Sequence, residues 1–254
     1  MSIATTLRAN TKPIAVGVIA GLLSGLLGVG GGFIMVPLFV LWMHVDQKKS
    51  HATSLAAIIP IASFSALGYA IQDKVDWSAW ILVLAGSVFG ANYGVRLLHR
   101  IPVKELKLIF AGLLLLSAIR LLWSTQPHQM LDGMASHALL IAIGFIAGIA
   151  AGLLGVGGGI IIVPALIIAA GLEAAVARGT SLAVIVGTAI SGTVAHHRRG
   201  NIEWAIAIPT GLAGIPASMM GTYLGTSLPD RITMTLFSMV LLFTAYRMAK
   251  SVSE

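Results

Sequence analysis

The chain has 254 residues, of which 57% are hydrophobic and 10% are charged, and its mean hydropathy is +0.94. Soluble domains carry about 25% charged residues, so this composition excludes a soluble globular protein and indicates an integral membrane protein. The net charge of +7 would suggest nucleic-acid binding in a soluble protein, but in a membrane protein lysine and arginine mark cytoplasmic loops. The chain has no cysteine, which excludes disulfides, thiolate metal sites and thiol catalysis.

Eight apolar stretches are long enough to cross or enter a bilayer core of about 30 Å. They cover residues 14–41, 52–71, 78–98, 106–123, 137–170, 180–195, 204–225 and 232–248. The polar start, Met1 to Lys12, runs into the first stretch, so we do not interpret it as a cleaved signal peptide. The sequence therefore predicts an all-α polytopic protein of the inner, or cytoplasmic, cell membrane.

The chain is an internal duplication. The pattern Gly-Val-Gly-Gly-Gly at 28–32 returns at 155–159, which is 127 residues later and half the length of the chain. Thr-Ser-Leu at 53–55 likewise returns at 180–182, and the correspondence continues without a gap to the end. We predict a first repeat over 1–126, a linker over 127–136 on the external side of the membrane, and a second repeat over 137–254.

The first stretch of each repeat has two interpretations. A helix over 14–41 would be about 42 Å long, and the three consecutive glycines in its middle each cost up to about 1 kcal/mol relative to alanine. The segment is either one tilted or broken crossing, or two half-helices that enter and leave the membrane on the same side. The second arrangement gives each repeat three crossings, so the repeats have opposite orientations and form an inverted pair.

The distribution of positive charge favours the re-entrant arrangement with both termini in the cytoplasm. It leaves four basic residues outside: Lys74, Arg120, Arg178 and Arg231. Twelve lie inside: Arg8, Lys12, Lys48, Lys49, Arg96, Arg100, Lys104, Lys107, Arg198, Arg199, Arg247 and Lys250. With a single crossing in each repeat, eight residues would lie on each side and the bias would disappear.

The glycines form two kinds of pattern. Gly17, Gly21 and Gly25 recur every fourth residue, as do their equivalents 144, 148 and 152, and such stripes let another helix approach closely. The two clusters fit no single helical face, so we interpret them as unwound backbone at membrane depth, which must be packed in protein or line a cavity. Their residues are Gly28, Gly30, Gly31 and Gly32 in the first repeat and Gly155, Gly157, Gly158 and Gly159 in the second.

An anion site between the clusters is the interpretation that we favour over packed hinges. Half-helices starting at Phe33 and Ile160 would place two helix N-termini near the midplane, each with unpaired N–H groups and a partial positive charge. Hydroxyls of Thr53, Ser54, Thr180 and Ser181, expected to open the next helix of each repeat, would either cap that helix or complete the anion site. A Walker loop is excluded because no Gly-Lys-Ser/Thr follows the glycines.

Other polar residues receive more ordinary interpretations. Asn92 lies within a spanning segment and is expected to bond across helices. His51, His196 and His197 are expected to be solvated at helix ends rather than to carry protons. Arg178 is expected to extend towards the external interface. Trp77 and Trp204 are expected to be anchors at the membrane interface.

The doubled Gly-x-Gly-Gly-Gly-x-x-x-x-Pro at 28–37 and 155–164, followed by the two Thr-Ser-Leu segments, resembles the TauE/SafE family of membrane proteins. The segment Arg-Gly-Asn-Ile-Glu-Trp at 199–204 resembles the loop of that family after the Thr-Ser helix. The first repeat has Gln-Asp-Lys-Val-Asp-Trp there, at 72–77, and so departs from that form. The resemblance implies a transporter, generally an exporter, of sulfite or organosulfonates.

Together these features predict a secondary transporter that exports a small sulfur-containing anion by alternating access, with no cofactor, metal or nucleic-acid partner. An anion channel of similar selectivity and an importer of a related organic anion are the alternatives. A membrane enzyme has no support, because the sequence offers no nucleophile–base pair, thiol or metal cluster. The oligomeric state stays open, and a homodimer is compatible with the sequence.

Overall fold

The computed structural model describes residues 3–97, 111–112, 114–119, 121 and 134–253. The first repeat contains α1 (Ile3–Leu27), α2 (Gly32–Leu41), α3 (Gln47–Ala70) and α4 (Trp77–Leu97). The second contains α5 (Met134–Leu154), α6 (Gly159–Ala169), α7 (Ala174–His197), α8 (Trp204–Ser227) and α9 (Asp230–Ser253). Residues 111–112, 114–119 and 121 are helical as well. Regular structure throughout the described ranges is α-helical, which confirms the predicted class; most of the predicted linker lies outside them.

Each long first stretch is broken where the glycines predicted it. The half-helices α2 and α6 begin at Gly32 and Gly159, one residue before the predicted starts. The preceding residues Gly31 and Gly158 have φ angles of 76° and 84°, in the left-handed region that glycine enters at little cost. The glycine runs therefore end one helix and start another within four residues.

Two of the helix starts differ from the prediction. The Asp46 carboxylate accepts hydrogen bonds from the amides of Lys48 and Lys49 and so caps α3. Because of this cap, α3 begins at Gln47 and Thr53 lies almost two turns inside it. The equivalent helix α7 begins at Ala174, so Thr180 is also internal. The prediction that the Thr-Ser pairs open these helices was wrong: the Asp46 cap starts α3 before its pair, and α7 starts after Glu173 without a side-chain cap.

The glycine stripes hold helices of different repeats together. A methyl group placed on Gly17 or Gly25 of α1 would lie 2.1 Å from a carbonyl oxygen of α8. Methyl groups on Gly144 and Gly148 of α5 would lie 2.1 and 2.2 Å from carbonyl oxygens of α4. The predicted close packing is confirmed: the first helix of each repeat packs against the fourth helix of the other.

The order of these contacts gives the direction of each helix. Gly17 of α1 contacts Thr210 of α8, and the later residue Gly25 contacts the later residue Ser218. Residue numbers therefore rise along both helices in the same direction, so α1 and α8 are parallel. Contacts of α3 with α8 also advance together, from Ile61–Gly214 to Gly68–Thr222. Since α1 and α3 therefore run the same way, the short α2 between them leads the chain back.

Helix α3 and its equivalent α7 run in opposite directions where they meet. On α3 and α7, Leu55 lies beside Gly192, whereas Tyr69, further along α3, lies beside the earlier residue Gly179 of α7. The start of α3 and the end of α7 consequently share one face of the bundle. We name this face the Lys49 face, after the ion pair there between Lys49 and Glu203, and the opposite one the Lys74 face, after the ion pair of Lys74 with Glu173.

Helix lengths fit a membrane protein. Among the described residues, five helical segments are long and apolar enough to cross a bilayer: Gln47–Ala70, Trp77–Val95, Ser136–Leu154, Ala174–His197 and Trp204–Ser227. The segments Thr11–Leu27, Gly32–Leu41 and Gly159–Ala169 are apolar helices that are shorter than these five. The segment Ser136–Leu154, predicted as one arm of a broken stretch, is thus by itself long enough to span.

Candidate functional site

The two glycine clusters meet at the centre of the bundle. A methyl group on Gly32 would lie 2.6 Å from the Gly155 carbonyl oxygen, and one on Gly159 would lie 2.7 Å from the Cα atom of Val29. Ile58 of α3 and Ile185 of α7 border both Gly30 and Gly157. We call this region, residues 28–32 and 155–159, the glycine crossing. All eight predicted glycines lie in it, and all are buried.

Two helix N-termini face each other in the glycine crossing. The first hydrogen-bonded amides of α2 are those of Ile34 and Met35, which share the Gly31 carbonyl oxygen. Ile161 and Ile162 share the Gly158 carbonyl oxygen in the same way. No side chain caps either helix. The amides at the start of each helix therefore have no partner on their own helix and present the positive end of its dipole to the crossing.

The two serines brace the glycine turns from the opposite repeat. The Ser54 Oγ lies 2.7 Å from the Gly155 carbonyl oxygen and 2.9 Å from the His51 carbonyl oxygen, so its one hydrogen is shared between these two acceptors. The Ser181 hydroxyl donates to the Gly28 carbonyl oxygen at 2.9 Å. Both serines are fully buried. In this conformation their hydroxyls hold the turns in place, and they lie beside the backbone that an anion would contact.

The two threonines have a different role. The Thr53 hydroxyl oxygen accepts from the Glu203 amide at 3.0 Å, and that of Thr180 accepts from the Asp76 amide at 2.9 Å. Those amides immediately precede α8 and α4. Each threonine thus anchors the start of the fourth helix of the other repeat rather than capping its own helix.

Behind each glycine turn lies a basic residue of the opposite repeat. Arg178 is 4% exposed and donates to the Leu26 carbonyl oxygen at the end of α1 and to the Asp230 carboxylate. Its equivalent His51 is 8% exposed, and its Nδ1 lies 2.5 Å from the Leu154 carbonyl oxygen at the end of α5. The predictions of a solvated His51 and an interfacial Arg178 were wrong. Hydropathy does not show which side chains lie within hydrogen-bond distance of the carbonyl oxygens at the end of another helix.

The remaining predicted polar residues divide in a similar way. His196 is 1% exposed, contrary to prediction, whereas His197 is exposed as predicted and contacts the ring of Trp204. Asn92 donates from Nδ2 to Ser191 Oγ of α7 at 2.9 Å, which confirms a bond across helices. Trp77 and Trp204 start α4 and α8 and are exposed, as expected of interface anchors.

The loop that departs from the family form keeps its backbone shape. Asp73 in the first repeat has φ of 56°, and its equivalent Gly200 has φ of 67°. Aspartate is one of the few residues with a side chain that tolerates this left-handed conformation. The departure therefore leaves the turn before α4 similar to the turn before α8.

A basic recess lies between α4 and α7 and was not foreseen from the sequence. It has a volume of about 200 Å³ and is lined in part by Asn92, Arg198 and Arg199. Arg199 donates to the Val95 carbonyl oxygen at 2.9 Å. The signal in the sequence was the Arg-Arg pair at 198–199, but only the packing of α4 on α7 places the side-chain amide of Asn92 beside this pair.

Comparison with known proteins agrees with this architecture. The model of the sulfite exporter TauE/SafE family matches residues 3–121 and 140–254. A probable membrane transporter protein of Xylella fastidiosa (strain 9a5c) is 31% identical over 229 residues, which cover 87% of each chain. The probable membrane transporter protein YunE of Bacillus subtilis (strain 168) is 26% identical over 242 residues, covering 85% of this chain and 86% of that protein.

A plant protein shows a shorter match. The sulfite exporter TauE/SafE family protein 3 of Arabidopsis thaliana is 32% identical over 110 residues, covering 41% of this chain and 23% of that protein. No solved structure gives a significant match. The family model covers both repeats, and the family is one of transporters rather than enzymes. The chain is a multi-pass membrane protein and belongs to the TauE/SafE sulfite exporter family of membrane transporters.

Proposed function

We propose that this protein is a secondary transporter that exports a small sulfur-containing anion, sulfite or an organosulfonate, across the cytoplasmic membrane. The observation that carries this proposal is the pair of facing, uncapped helix N-termini in the glycine crossing. Helix N-termini bind anions through free amides and the helix dipole. Gly28, Gly30, Gly31 and Gly32, with Gly155, Gly157, Gly158 and Gly159, let the anion approach the backbone without obstruction by side chains.

The hydroxyls complete the proposed site. The hydroxyls of Ser54 and Ser181 donate hydrogen bonds to carbonyl oxygens of the two glycine turns. A small rotation of either hydroxyl would let it donate to an anion oxygen instead. Thr53 and Thr180 belong to the same helical turns and hold the adjoining helices. Their contribution in this proposal is to couple the site to the movement of α4 and α8.

Alternating access by two inverted repeats is the proposed mechanism. The opposite directions of α3 and α7 and the return of α2 support inverted repeats with re-entrant hairpins. Every glycine of the crossing is buried, so an anion needs a movement of one repeat against the other to enter or leave. In the membrane, the charge distribution of the sequence would place the Lys49 face and both termini in the cytoplasm.

The membrane potential is a sufficient driving force for export. Moving one negative charge out of a cell with a negative interior releases about 2.3 kcal/mol per 100 mV. A divalent anion gains twice that amount, so export requires neither a nucleotide nor an ion gradient.

The test is transport into proteoliposomes that contain the purified full chain. Sulfite, sulfate, thiosulfate, sulfoacetate and taurine are offered in turn, each at several membrane potentials and with and without a pH gradient. We expect saturable flux of at least one sulfur oxyanion or sulfonate, which stops when the potential opposes it. Absence of flux for all five compounds in a folded, reconstituted protein would contradict the proposal.

A channel is distinguished from a carrier in the same vesicles. A carrier shows counterflow, in which unlabelled anion inside accelerates entry of labelled anion, whereas an open pore does not. The buried glycine crossing favours the carrier, since all eight of its glycines are buried in the described structure. Inward flux that occurs only with an inward substrate gradient, and that continues against an opposing membrane potential, would point to an importer of a related anion.

A further inference from the structure

We propose that the basic recess between α4 and α7 binds the headgroup of an anionic phospholipid, whose acyl chain lies against the outer surface of α7. Two arginines of the recess hold the phosphate, and exposed apolar residues of α7 contact the chain. This site is on the outside of the bundle, so the proposal does not depend on the anion site at the glycine crossing.

Helices α4 and α7 bring the parts of the recess together because they run in the same direction. Asn92 of α4 bonds to Ser191 of α7, and the later residue Val95 accepts a hydrogen bond from the later residue Arg199. The last turns of both helices therefore reach the same surface, the Lys49 face. The recess, with a volume of about 200 Å³, is lined by residues from both of these contacts.

The two arginines of the recess have donors available for a phosphate. A guanidinium has five N–H donors, and Arg199 uses Nη1 for the Val95 carbonyl oxygen, which fixes it at the end of α4. Arg198 also lines the recess and is exposed. The Glu203 carboxylate, four residues further along the chain, is paired with Lys49 at 2.6 Å. Both guanidiniums are charged at every physiological pH, and their geometry suits pairs of phosphate oxygens.

Asn92 adds a hydrogen-bond acceptor to the recess. Its two amide hydrogens donate to the Val88 carbonyl oxygen at 3.0 Å and to Ser191 Oγ at 2.9 Å. The polar atom that it can offer to a ligand is therefore Oδ1, which accepts. An acceptor beside two cations suits a headgroup that carries a hydroxyl group as well as a phosphate. Phosphatidylglycerol has both groups and a net negative charge.

An apolar track, formed by Ile190 and Val194, leads along α7 to the recess. These residues and Arg198 are spaced four apart, so they lie in one line on the helix, and all three are exposed. The line is about 12 Å long at 1.5 Å per residue, which is most of one half of a bilayer core of about 30 Å. A soluble anion would contact only the end of this line, so the track favours a phospholipid as the ligand.

The recess lies at the level of the membrane interface. Arg198 directly follows His197, the last residue of α7. The His197 ring contacts the ring of Trp204, an exposed residue at the start of α8, and exposed tryptophans are typical of the membrane interface. Basic pockets between spanning helices bind lipid headgroups at this level. The phosphate and the arginines are therefore expected at the same depth.

The lipid selectivity of the wild type is the first test. The purified full chain in dodecyl maltoside is titrated with phosphatidylglycerol, with phosphatidylcholine of the same acyl chains, and with glycerol 3-phosphate, which has no chains. We expect phosphatidylglycerol to raise the melting temperature by linkage and to bind about tenfold or more tightly than phosphatidylcholine. Equal binding of the two lipids would overturn the proposal. Glycerol 3-phosphate that binds as tightly as phosphatidylglycerol would assign the recess to a soluble phosphate and also overturn it.

Variants that each remove one positive charge locate the site. Arg198→Gln and Arg199→Gln should each weaken phosphatidylglycerol binding about five- to tenfold, because each loses one cation beside the phosphate. Lys48→Gln is the matched control, since Lys48 is exposed near the start of α3, on the same face but outside the recess. Its affinity should stay within about twofold of the wild type, because salt screens exposed charges at a distance.

The comparison of the three variants can contradict the proposal in two ways. Equal losses in all of them would show that the lipid responds to general surface charge, and wild-type affinity in both arginine variants would exclude the recess. The melting temperatures of the lipid-free proteins check that each variant is folded.

A photoreactive phosphatidylglycerol tests the apolar track on the wild type, without any variant. A reactive group at the start of the acyl chain should label residues 190–195 of α7 or 88–92 of α4, and excess unlabelled phosphatidylglycerol should suppress this labelling. Labelling spread equally over the exposed apolar residues of α8 and α9 would overturn the proposal.

Discussion

At the scale of single residues, the glycine turns depend on a left-handed backbone conformation that residues with a side chain adopt only with strain. Gly31 has φ of 76°, and a methyl group on it would lie 2.6 Å from the Ala20 carbonyl oxygen. The left-handed conformation costs a residue with a Cβ atom about 1–2 kcal/mol, and the clash adds to that cost. The glycine at position 31 therefore contributes directly to the stability of the fold.

We expect Gly31→Ala to lower the free energy of unfolding by about 2–5 kcal/mol, from backbone strain and overpacking together. Two variants separate these effects. Gly200→Ala has the strained φ but open space around it, so it should cost about 1–2 kcal/mol. Gly112→Ala meets nothing within 4 Å and should be neutral or stabilising by up to about 1 kcal/mol. Denaturant unfolding in detergent micelles gives the ranking, and equal stability of all three proteins would contradict it.

The buried serines provide a second prediction at this scale. Ser181→Ala leaves the Gly28 carbonyl oxygen without its 2.9 Å donor, and an unsatisfied buried acceptor costs about 1–3 kcal/mol. Ser54→Ala should behave alike. If these hydroxyls also bind the anion, each variant should lose a similar amount of binding free energy in titrations with sulfoacetate.

Ser63→Ala is the matched control for the serine variants. The Ser63 hydroxyl donates to the Ile59 carbonyl oxygen of its own helix. When the hydroxyl is removed, that carbonyl oxygen still accepts the hydrogen bond from the backbone amide of the helix. We expect a change of less than about 0.5 kcal/mol in stability and unchanged anion affinity. Wild-type stability in Ser181→Ala would show that the bond to Gly28 contributes nothing.

At the scale of helices, the two repeats are interlocked rather than side by side. Helix α1 packs on α8, α5 on α4, and α4 also on α7. Each of these pairs joins one repeat to the other, and the glycine stripes bring the backbones of the first two pairs into contact. Movement between repeats must therefore shift at least one of these interfaces.

A cross-link between α4 and α7 tests whether that movement is needed. The hydroxyl oxygens of Ser87 and Thr188 are 2.5 Å apart, which places their Cβ atoms within the range of a disulfide. Oxidation of Ser87→Cys/Thr188→Cys, in a chain that has no other cysteine, should abolish anion flux, and reduction should restore it. Each single variant, oxidised in the same way, should keep its flux. Full flux in the cross-linked protein would favour a channel with no movement between these helices.

At the scale of the whole molecule, the two ends of α3 and the two ends of α7 define the arrangement in the membrane. Gln47 and Asn201 are on the Lys49 face, and Gln72 and Gly171 are on the Lys74 face, because α3 and α7 run in opposite directions. The excess of basic residues predicts that the Lys49 face is cytoplasmic.

Single cysteines at these four positions test the orientation in intact cells. A reagent that does not cross the membrane should label Gln72→Cys and Gly171→Cys but not Gln47→Cys or Asn201→Cys. Permeabilised cells, in which all four should react, are the control for reactivity. Labelling of Gln47→Cys together with Gly171→Cys would contradict the arrangement of helices itself, whereas a complete reversal would contradict only the orientation.

Much of the molecule follows from the sequence because the signals are local. The composition and the apolar stretches determine a helical membrane protein, and the glycine runs break its long segments within one residue of the predicted points. The duplication identifies the equivalent positions, and the four-residue glycine spacing predicts close helix packing. These features depend on hydropathy, backbone freedom and periodicity, each of which is a property of a short segment.

Only the tertiary structure decided which groups of the two repeats meet. It placed the hydroxyls of Ser54 and Ser181 on carbonyl oxygens more than 100 positions away along the chain. It also buried His51 and Arg178 against helix ends of the opposite repeat, where the sequence predicted contact with solvent. The physical reason is that a hydrogen bond or a buried charge depends on its partner in space, and the interlocking of the repeats supplies partners that no local pattern contains.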